Sequence, residues 1–133
     1  MKEIIIDAKN AALGRLASFA AKQALSGNKI VIINCDECII SGKPRSIILE
    51  YSDMRKKGGA IQRGPLFPKI PEKVVKRTIR GMLPYKKERG KDALKRIKCH
   101  DKIPVEYVER KMIKAGKEKK GKSIKLKELS EEI

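Results

Sequence analysis

The chain has 133 residues, of which 41% are hydrophobic and 37% charged, and this favours one globular domain with a core of its own. The 33 Lys and Arg against 16 Asp and Glu give a formal net charge of +17, which points to a polyanionic partner. The longest apolar runs are too short to span a bilayer, and the scarcity of aromatic residues (two Phe, three Tyr, no Trp) argues against single-strand binding by base stacking.

The first 34 residues predict a βαβ unit. Residues 3–8 (EIIIDA) form a β-branched run typical of a buried strand, and residues 29–34 (KIVIIN) form a second one. Between them, residues 13–26 carry an alanine-rich apolar stripe at helical spacing, and Gly27 is a suitable residue to end that helix. The two strands should therefore be parallel, with a right-handed crossover.

The middle of the chain is less regular. Residues 38–40 predict a third short strand, and residues 44–57 predict a helix whose inward side carries Ile47, Ile48, Tyr51 and Met54. Residues 57–70 contain three Gly and two Pro, which predicts a long loop. Loops of this length in a compact domain are usually functional or disordered.

Residues 71–83 predict the clearest helix. Pro71 suits the first turn, and Glu72 lies near the positive end of the helix dipole. One half of the helical wheel is mostly apolar and should pack against the body. The other half is a row of cations within about 100° at 3.6 residues per turn: Lys73, Lys76, Arg77 and Arg80.

The C-terminal third combines basic segments with weaker periodicity. Residues 84–90 predict a basic turn, Asp92 is expected to cap a short helix that runs to Ile97, and residues 97–100 predict a last strand. The apolar residues between 105 and 113 allow an amphipathic helix. We therefore expect one α/β domain over residues 1–113, followed by a basic linker and C-terminal tail over residues 114–133.

Most of the positive charge lies in one block. Residues 54–100 hold 16 Lys and Arg against three acids, which accounts for 13 of the 17 net charges. A merely solvated face normally mixes both signs, because like charges repel. A surface of one sign is what a phosphate backbone requires for counterion release, so the block predicts nucleic-acid binding.

Metal and redox sites are weaker alternatives. Cys35 and Cys38 have the spacing of a zinc pair, but Cys99 and His100 are adjacent in a predicted strand and would point to opposite faces. Buried thiols are the more common outcome. An odd number of cysteines without a signal peptide predicts reduced thiols and a cytoplasmic protein.

Catalysis has little support in the sequence. The single His has no obvious nucleophilic partner, and neither GxxxxGK[ST] nor GxGxxG occurs. Asp7, Asp36, Glu37 and Asp53 fall near predicted strand or helix ends, where a phosphodiesterase can hold Mg²⁺. Capping is the usual role of such acids, so we expect no enzyme, no metal and no cofactor.

An ordered set of short motifs resembles the universal large-subunit ribosomal protein L-thirteen family, in its archaeal and eukaryotic form. The resemblance covers roughly residues 3–107. It is carried by Ile6-Asp7-Ala8, Leu13-Gly14-Arg15-Leu16-Ala17-Ser18, Gly27, Ile33-Asn34, Ile40-Ser41-Gly42, Arg63-Gly64-Pro65, Arg80-Gly81-Met82-Leu83-Pro84, Arg89-Gly90, the run from Ala93 to Lys98, and Pro104.

The resemblance implies a three-layer α/β/α fold with a four-stranded, mainly parallel sheet and extended basic loops. It also implies a non-catalytic constituent of the large ribosomal subunit, whose partners are large-subunit rRNA and neighbouring ribosomal proteins. We expect the protein neither to associate with a membrane nor to form a homo-oligomer. The residues matched to RNA-facing regions of the family are Arg15, Lys43, Arg45, Arg55, Lys56, Lys57, Arg63, Lys69, Lys73, Lys76, Arg77, Arg80, Lys86, Lys87, Arg89 and Lys91.

Two other functions remain open at this stage. A free-standing RNA chaperone or DNA-binding protein would share the basic surface but not the ordered motifs. A small metal-dependent nuclease would use Asp7, Asp36 or Glu37 to hold its metal.

Overall fold

The structure is a computed structural model that describes residues 2–57, 70–114 and 122–132, with the backbone alone for residues 54–57. The predicted loop at 57–70, with Arg63 and Lys69, lies almost entirely outside the described residues. The helices and strands in chain order are β1 (Glu3–Asp7), α1 (Leu13–Leu25), β2 (Lys29–Ile33), β3 (Ile39–Ser41), α2 (Pro44–Lys57), α3 (Pro71–Gly81), α4 (Glu88–Lys95), β4 (Ile97–Cys99), β5 (Ile113–Lys114), β6 (Ser123–Lys125) and α5 (Leu126–Glu132).

A four-stranded parallel sheet in the order β4-β2-β1-β5 forms the centre of the fold. The predicted βαβ unit is confirmed: β1 pairs with β2 from Glu3 opposite Lys29 to Asp7 opposite Ile33. Gly27 follows α1 with a positive φ of 97°, a backbone conformation that glycine adopts without strain. The predicted strand at 97–100 is also confirmed as β4, which forms one edge of the sheet.

Alternating residues of the strands face two different surroundings. On one face, Ile6, Ile30 and Ile32 pack in the main core with α1, α3 and α4. On the other face, Ile5, Val31 and Ile33 form a smaller cluster, against which side chains of the 101–112 segment pack. The predicted α/β architecture of three layers around a parallel sheet is confirmed.

The segment after Pro104 differs from its prediction. The expected amphipathic helix is a single 3₁₀ turn over Val105–Tyr107, followed by the two-residue strand β5. Its apolar residues do not share one buried face, because Tyr107 and Met112 pack on the sheet while Val105 is 91% exposed. An amphipathic helix at this place would have buried Val105 as well.

Two element boundaries also differ. Helix α4 begins at Glu88, so Asp92 lies inside the helix and does not cap it. Helix α3 ends at Gly81, two residues before its predicted end, and Met82, which follows it, is 45% exposed. The backbone N–H of Met82 donates to the Ile79 carbonyl and that of Leu83 to the Arg80 carbonyl, so the chain tightens into three-residue turns and Met82 no longer follows the buried stripe of α3.

The described end of the C-terminal segment packs on the body. Strand β6 pairs antiparallel with β3 in a separate two-stranded sheet, so the predicted third strand is not part of the main sheet. Leu126 and Leu129 of α5 are each 1% exposed and belong to the main core. Where the body ends and a tail begins stays a prediction, since residues 115–121 are not described. Among the described residues, the helices are too short or too polar to span a membrane.

Candidate nucleic-acid interface

Helix α3 presents its cations because its apolar side is fully used by the core. Val74, Val75 and Ile79 are at most 3% exposed and pack against α1 and the sheet. Pro71 stands in the first turn, and the carboxylate of Asp101 accepts a 2.8 Å hydrogen bond from the backbone N–H of Glu72 at the start of α3. With one side buried and its first turn capped, the helix holds its polar side outward.

A groove of about 520 Å³ runs between α3 and the edge strand β4. One wall carries the four cations predicted for this helix: Lys73, Lys76, Arg77 and Arg80. The other wall carries Lys98, and Glu72 is the only carboxylate among the described residues that line the groove. Five cations therefore face one acid across a single groove. Such a concave, low-dielectric wall of one sign focuses a positive potential.

Three of the five cations of this groove have no carboxylate partner among the described residues. Lys73, Lys76 and Lys98 form no ion pair with a carboxylate in the described part of the chain. Two ion pairs, Arg110 with Glu3 and Lys114 with Asp7, lie instead at the far β1–β5 edge of the sheet. The positive potential of the groove is therefore available to an external anion.

The basic turn after α3 is joined to the helix by a stacked pair. The guanidinium carbon of Arg80 lies 4.5 Å from the centre of the Tyr85 ring, which is a cation–π contact. The backbone N–H of Lys87 donates a 2.9 Å hydrogen bond to the Pro84 carbonyl and closes the turn. The predicted residues of this turn and of early α4 are all exposed: Lys86, Lys87, Arg89 and Lys91.

The structure places Arg15 on the other side of α3. It lines a separate hollow of about 280 Å³ that includes Tyr51 of α2 and Thr78 of α3. Burial raises the pKa of the Tyr51 hydroxyl, and the charge of Glu50 adds to this effect. Helix α3 thus stands between two hollows with cations on their walls.

Of the seven remaining predicted residues, two are described with their side chains and five are not. Lys43 and Arg45 are exposed at the start of α2. Arg55, Lys56 and Lys57 lie in the last turns of α2, where only the backbone is described, and Arg63 and Lys69 lie outside the described residues. Binding of RNA by the 16 residues therefore stays a prediction, and four of them are shown to share one groove.

Three residues at the groove and its turn were not among the predicted ones. Lys98 and His100 were omitted because the sequence does not show that β4 is an edge strand, and Tyr85 was omitted because its contact with Arg80 depends on how the turn after α3 folds back. One signal was present: strand alternation around the buried Ile97 places Lys98 away from the main core. Arg96, by contrast, is used within the fold, where it donates a 2.9 Å hydrogen bond to the Ala24 carbonyl at the end of α1.

Two of the three cysteines are buried thiols with raised pKa values. Cys35 and Cys38 are fully buried, and Cys99 is partly exposed. A hydrogen bond with Cys99 and burial raise the pKa of the Cys35 thiol, and burial raises the pKa of Cys38 to about 12. Within residues 2–57, 70–114 and 122–132, no three His, Cys, Asp or Glu side chains are placed to hold a metal ion.

Asp7, the first residue considered for a nuclease, has structural partners. Its carboxylate accepts 3.0 Å hydrogen bonds from the Asn34 side chain and the Lys9 backbone, and Lys114 lies 3.2 Å away. Burial alone would raise the pKa of Asp7, but these hydrogen bonds and the charge of Lys114 outweigh it and hold the pKa below 3.8. Asp7 therefore connects the end of β1 to Asn34, which follows β2, and to Lys114 at the end of β5.

Comparisons with known proteins identify the family. The family model described as ribosomal protein L13 matches residues 1–106. A relative from Methanosarcina barkeri named large ribosomal subunit protein uL13 is 48% identical over 103 residues, which are 77% of this chain and 73% of the relative. The protein of the same name from Thermoplasma volcanium is 39% identical over 132 residues, 97% of this chain and 96% of the relative.

The similarity extends to eukaryotes. A relative from Caenorhabditis elegans, also named large ribosomal subunit protein uL13, is 40% identical over 116 residues, 86% of this chain and 57% of the relative. The resemblance stated from the sequence motifs is confirmed. The chain belongs to the ribosomal protein L13 family, which is a family of structural, non-enzymatic ribosomal proteins.

Proposed function

We propose that this protein is a structural constituent of the large ribosomal subunit that binds folded large-subunit rRNA through its basic surface. Membership of the family supports the ribosomal role. The observation that carries the RNA-binding role is the groove beside α3, where five cations face one carboxylate. Its partners are the rRNA and neighbouring large-subunit proteins, its compartment is the cytoplasm, and it uses no cofactor.

The mechanism is architectural. The apolar side of α3 is anchored in the core, so its cations keep fixed positions relative to Arg15 and the basic turn. Fixed cations neutralise phosphates where RNA segments crowd together, and segments that would repel each other can then pack. Because the contacts are mostly to phosphates, the protein recognises the shape of the folded RNA more than its sequence.

A charge-reversal pair tests this function. Arg77→Glu with Arg80→Glu changes two exposed side chains of α3, so the fold should be retained while affinity for transcribed large-subunit rRNA falls by at least about a hundredfold. Binding is measured by filter retention, and folding by circular dichroism. A double variant that binds like the unmodified protein would remove α3 from the interface.

The matched control reverses two charges elsewhere. Lys111 and Lys127 are exposed, and neither lines the groove. Lys111→Glu with Lys127→Glu changes the net charge by the same amount, so it shows how much of the loss is a general charge effect. We expect this control to lose less than about tenfold in affinity.

Sedimentation separates the ribosomal role from free-standing RNA or DNA binding. In a sucrose gradient of a cell lysate, the protein should follow the large subunit and remain there after a high-salt wash. A complex held by many simultaneous contacts dissociates slowly even when salt screens each contact. A signal found only at the top of the gradient would be inconsistent with a ribosomal constituent.

A further inference from the structure

The interior of the groove beside α3 differs from its rim. Between the two cationic walls, the lining includes Leu94 of α4 and Cys99 of β4, with His100 beside them. Leu94 and Cys99 are partly buried and pack against the main core. A surface that only attracts phosphates does not require a recess of this kind, because a duplex is too wide to enter it.

The size of the groove matches one small ligand group. Its volume of about 520 Å³ lies within the roughly 300–1,000 Å³ that is usual for small-molecule sites. An apolar interior with charged groups at the rim is complementary to a nucleotide, whose base is flat and largely apolar and whose phosphate is anionic. With five cations and one carboxylate, the described lining is basic, so it would repel a basic peptide.

A stacking surface stands at one end of the same groove. Arg80 lines the groove, and one face of its guanidinium is held over Tyr85 at 4.5 Å. Unstacked RNA bases commonly stack on the planes of Arg and aromatic side chains. The scarcity of aromatic residues rules out a track for many bases, but a single base needs only one such plane.

We propose that this groove receives one unstacked nucleotide of the rRNA. Its base enters between α3 and β4 against Leu94 and Cys99, and its phosphate is held at the rim by Lys73 and Lys98. The proposal rests on the proposed rRNA binding and adds to it a specific kind of RNA element, a bulged or looped-out nucleotide. The protein then recognises one unstacked nucleotide in an RNA that it otherwise recognises by its shape.

Cys99 allows the groove to be filled without any change of charge. It is the partly exposed thiol, whereas Cys35 and Cys38 are each 0% exposed, so neutral thiol reagents should label Cys99 in the folded protein. A small methylthio adduct and a bulky phenylmaleimide adduct then give two degrees of filling. If a base enters, the bulky adduct should weaken binding to large-subunit rRNA by about tenfold or more, and the small one by much less.

The control carries the same adduct at another place. Glu131 is exposed on α5, away from the groove, so Cys99→Ser with Glu131→Cys presents one reactive thiol there. Its phenylmaleimide adduct should bind rRNA as well as the same double variant without the adduct, so the comparison isolates the effect of the adduct. Thermal unfolding of every adduct shows which of them remain folded.

If labelling at Cys99 unfolds the protein, a second measurement tests the nucleotide site without any label. Transcribed rRNA that contains 4-thiouridine and 6-thioguanosine is irradiated with the unlabelled protein, and the crosslinked peptides are identified by mass spectrometry. Crosslinks within residues 94–100 are expected. Their absence, or a folded phenylmaleimide adduct with unchanged affinity for rRNA, would overturn the proposal.

These outcomes can be told apart from failure of the proposed function itself. If Arg77→Glu with Arg80→Glu abolishes binding but the Cys99 adduct does not, RNA phosphates contact the rim and no base enters. If the double variant binds normally, rRNA binding through α3 fails and the nucleotide site fails with it. An adduct that binds rRNA normally but is not incorporated into subunits would assign the groove to a protein neighbour, against the proposal.

Discussion

Gly90 lies directly against the backbone of Pro84, so closely that a Cβ on Gly90 would overlap the Pro84 carbonyl oxygen. The contact joins the first turns of α4 to the basic turn that follows α3. Gly90 is buried, while its neighbours Arg89 and Lys91 are exposed. The absence of a side chain at this one position thus brings the basic turn close to α4 and sets the direction of its cations.

Gly90→Ala is therefore expected to lower the free energy of unfolding by about 1–3 kcal/mol. The overlap would be with main-chain atoms of Pro84 and Tyr85, which cannot move aside by changing rotamer. The turn would have to shift, so affinity for rRNA should also fall several-fold. Urea denaturation and filter binding measure the two effects.

Gly14→Ala is the matched control for this substitution. Gly14 lies within α1, and a Cβ there would meet no heavy atom within 4 Å. Alanine is the better helix former, so this variant should gain about 0.5–1 kcal/mol in stability. Equal stability of Gly90→Ala and the unmodified protein would show that the turn is not constrained by this contact.

Leu129→Ala tests whether the C-terminal helix stabilises the body. The side chain is 1% exposed and belongs to the main core, so its truncation should cost about 2–5 kcal/mol. Lys127→Ala on the same helix changes an exposed residue and should stay within about 0.5 kcal/mol of the unmodified protein. If Leu129→Ala unfolds at the same urea concentration as that control, α5 does not contribute to the cooperative unit.

The parts of the fold that were predicted correctly have local signals. The β-branched run at 29–34 and the spacing of Val74, Val75 and Ile79 each specify an element without reference to the rest of the chain. Strand β5 has no such signal, because it has two residues and exists through the pairing of Ile113 with Ile6. Tertiary pairing of this kind cannot be found from the periodicity of a single segment.

The candidate site, like the fold, depends partly on local sequence signals and partly on tertiary contacts. Helical geometry alone places the four cations of α3 on one side, and the structure brings them to one groove. The opposite wall depends on β4 being an edge strand next to α3, which is a property of the assembled sheet. Lys98 and His100 were therefore beyond the reach of sequence reasoning as members of the groove.

Asp7 should make stability depend on acid pH. Its pKa in the folded protein is below 3.8, so the folded state binds this proton less readily than the unfolded chain does. The stabilisation is present above pH 3.8 and is lost as the pH falls through the folded-state pKa. Asp7→Asn should therefore be less stable than the unmodified protein near neutral pH, and the difference should shrink in acid.

Urea denaturation at a series of pH values from neutral to acid measures this effect. Lys114→Ala removes one of the partners of Asp7 and should reduce the pH dependence in part, since the hydrogen bonds from Asn34 and Lys9 remain. A stability difference between Asp7→Asn and the unmodified protein that stays constant at every pH would contradict the assignment of this dependence to Asp7.

The salt dependence of rRNA binding reports how many phosphates the protein contacts. If about seven or eight phosphates are neutralised, the logarithm of affinity should fall with the logarithm of salt concentration with a slope of about −5 to −7. Each lost contact reduces the slope by about 0.7 to 0.9, so Arg77→Glu with Arg80→Glu should flatten it by about 1.4 to 1.8.

The control with Lys111→Glu and Lys127→Glu should keep the original slope even if its affinity is somewhat lower, because those residues make no phosphate contact in the proposed complex. A general charge effect would instead change both double variants alike, since each alters the net charge equally. Equal slopes for the two double variants would thus mean that Arg77 and Arg80 act at a distance from the RNA. A flatter slope for the α3 variant alone would place these two cations in direct contact with phosphates.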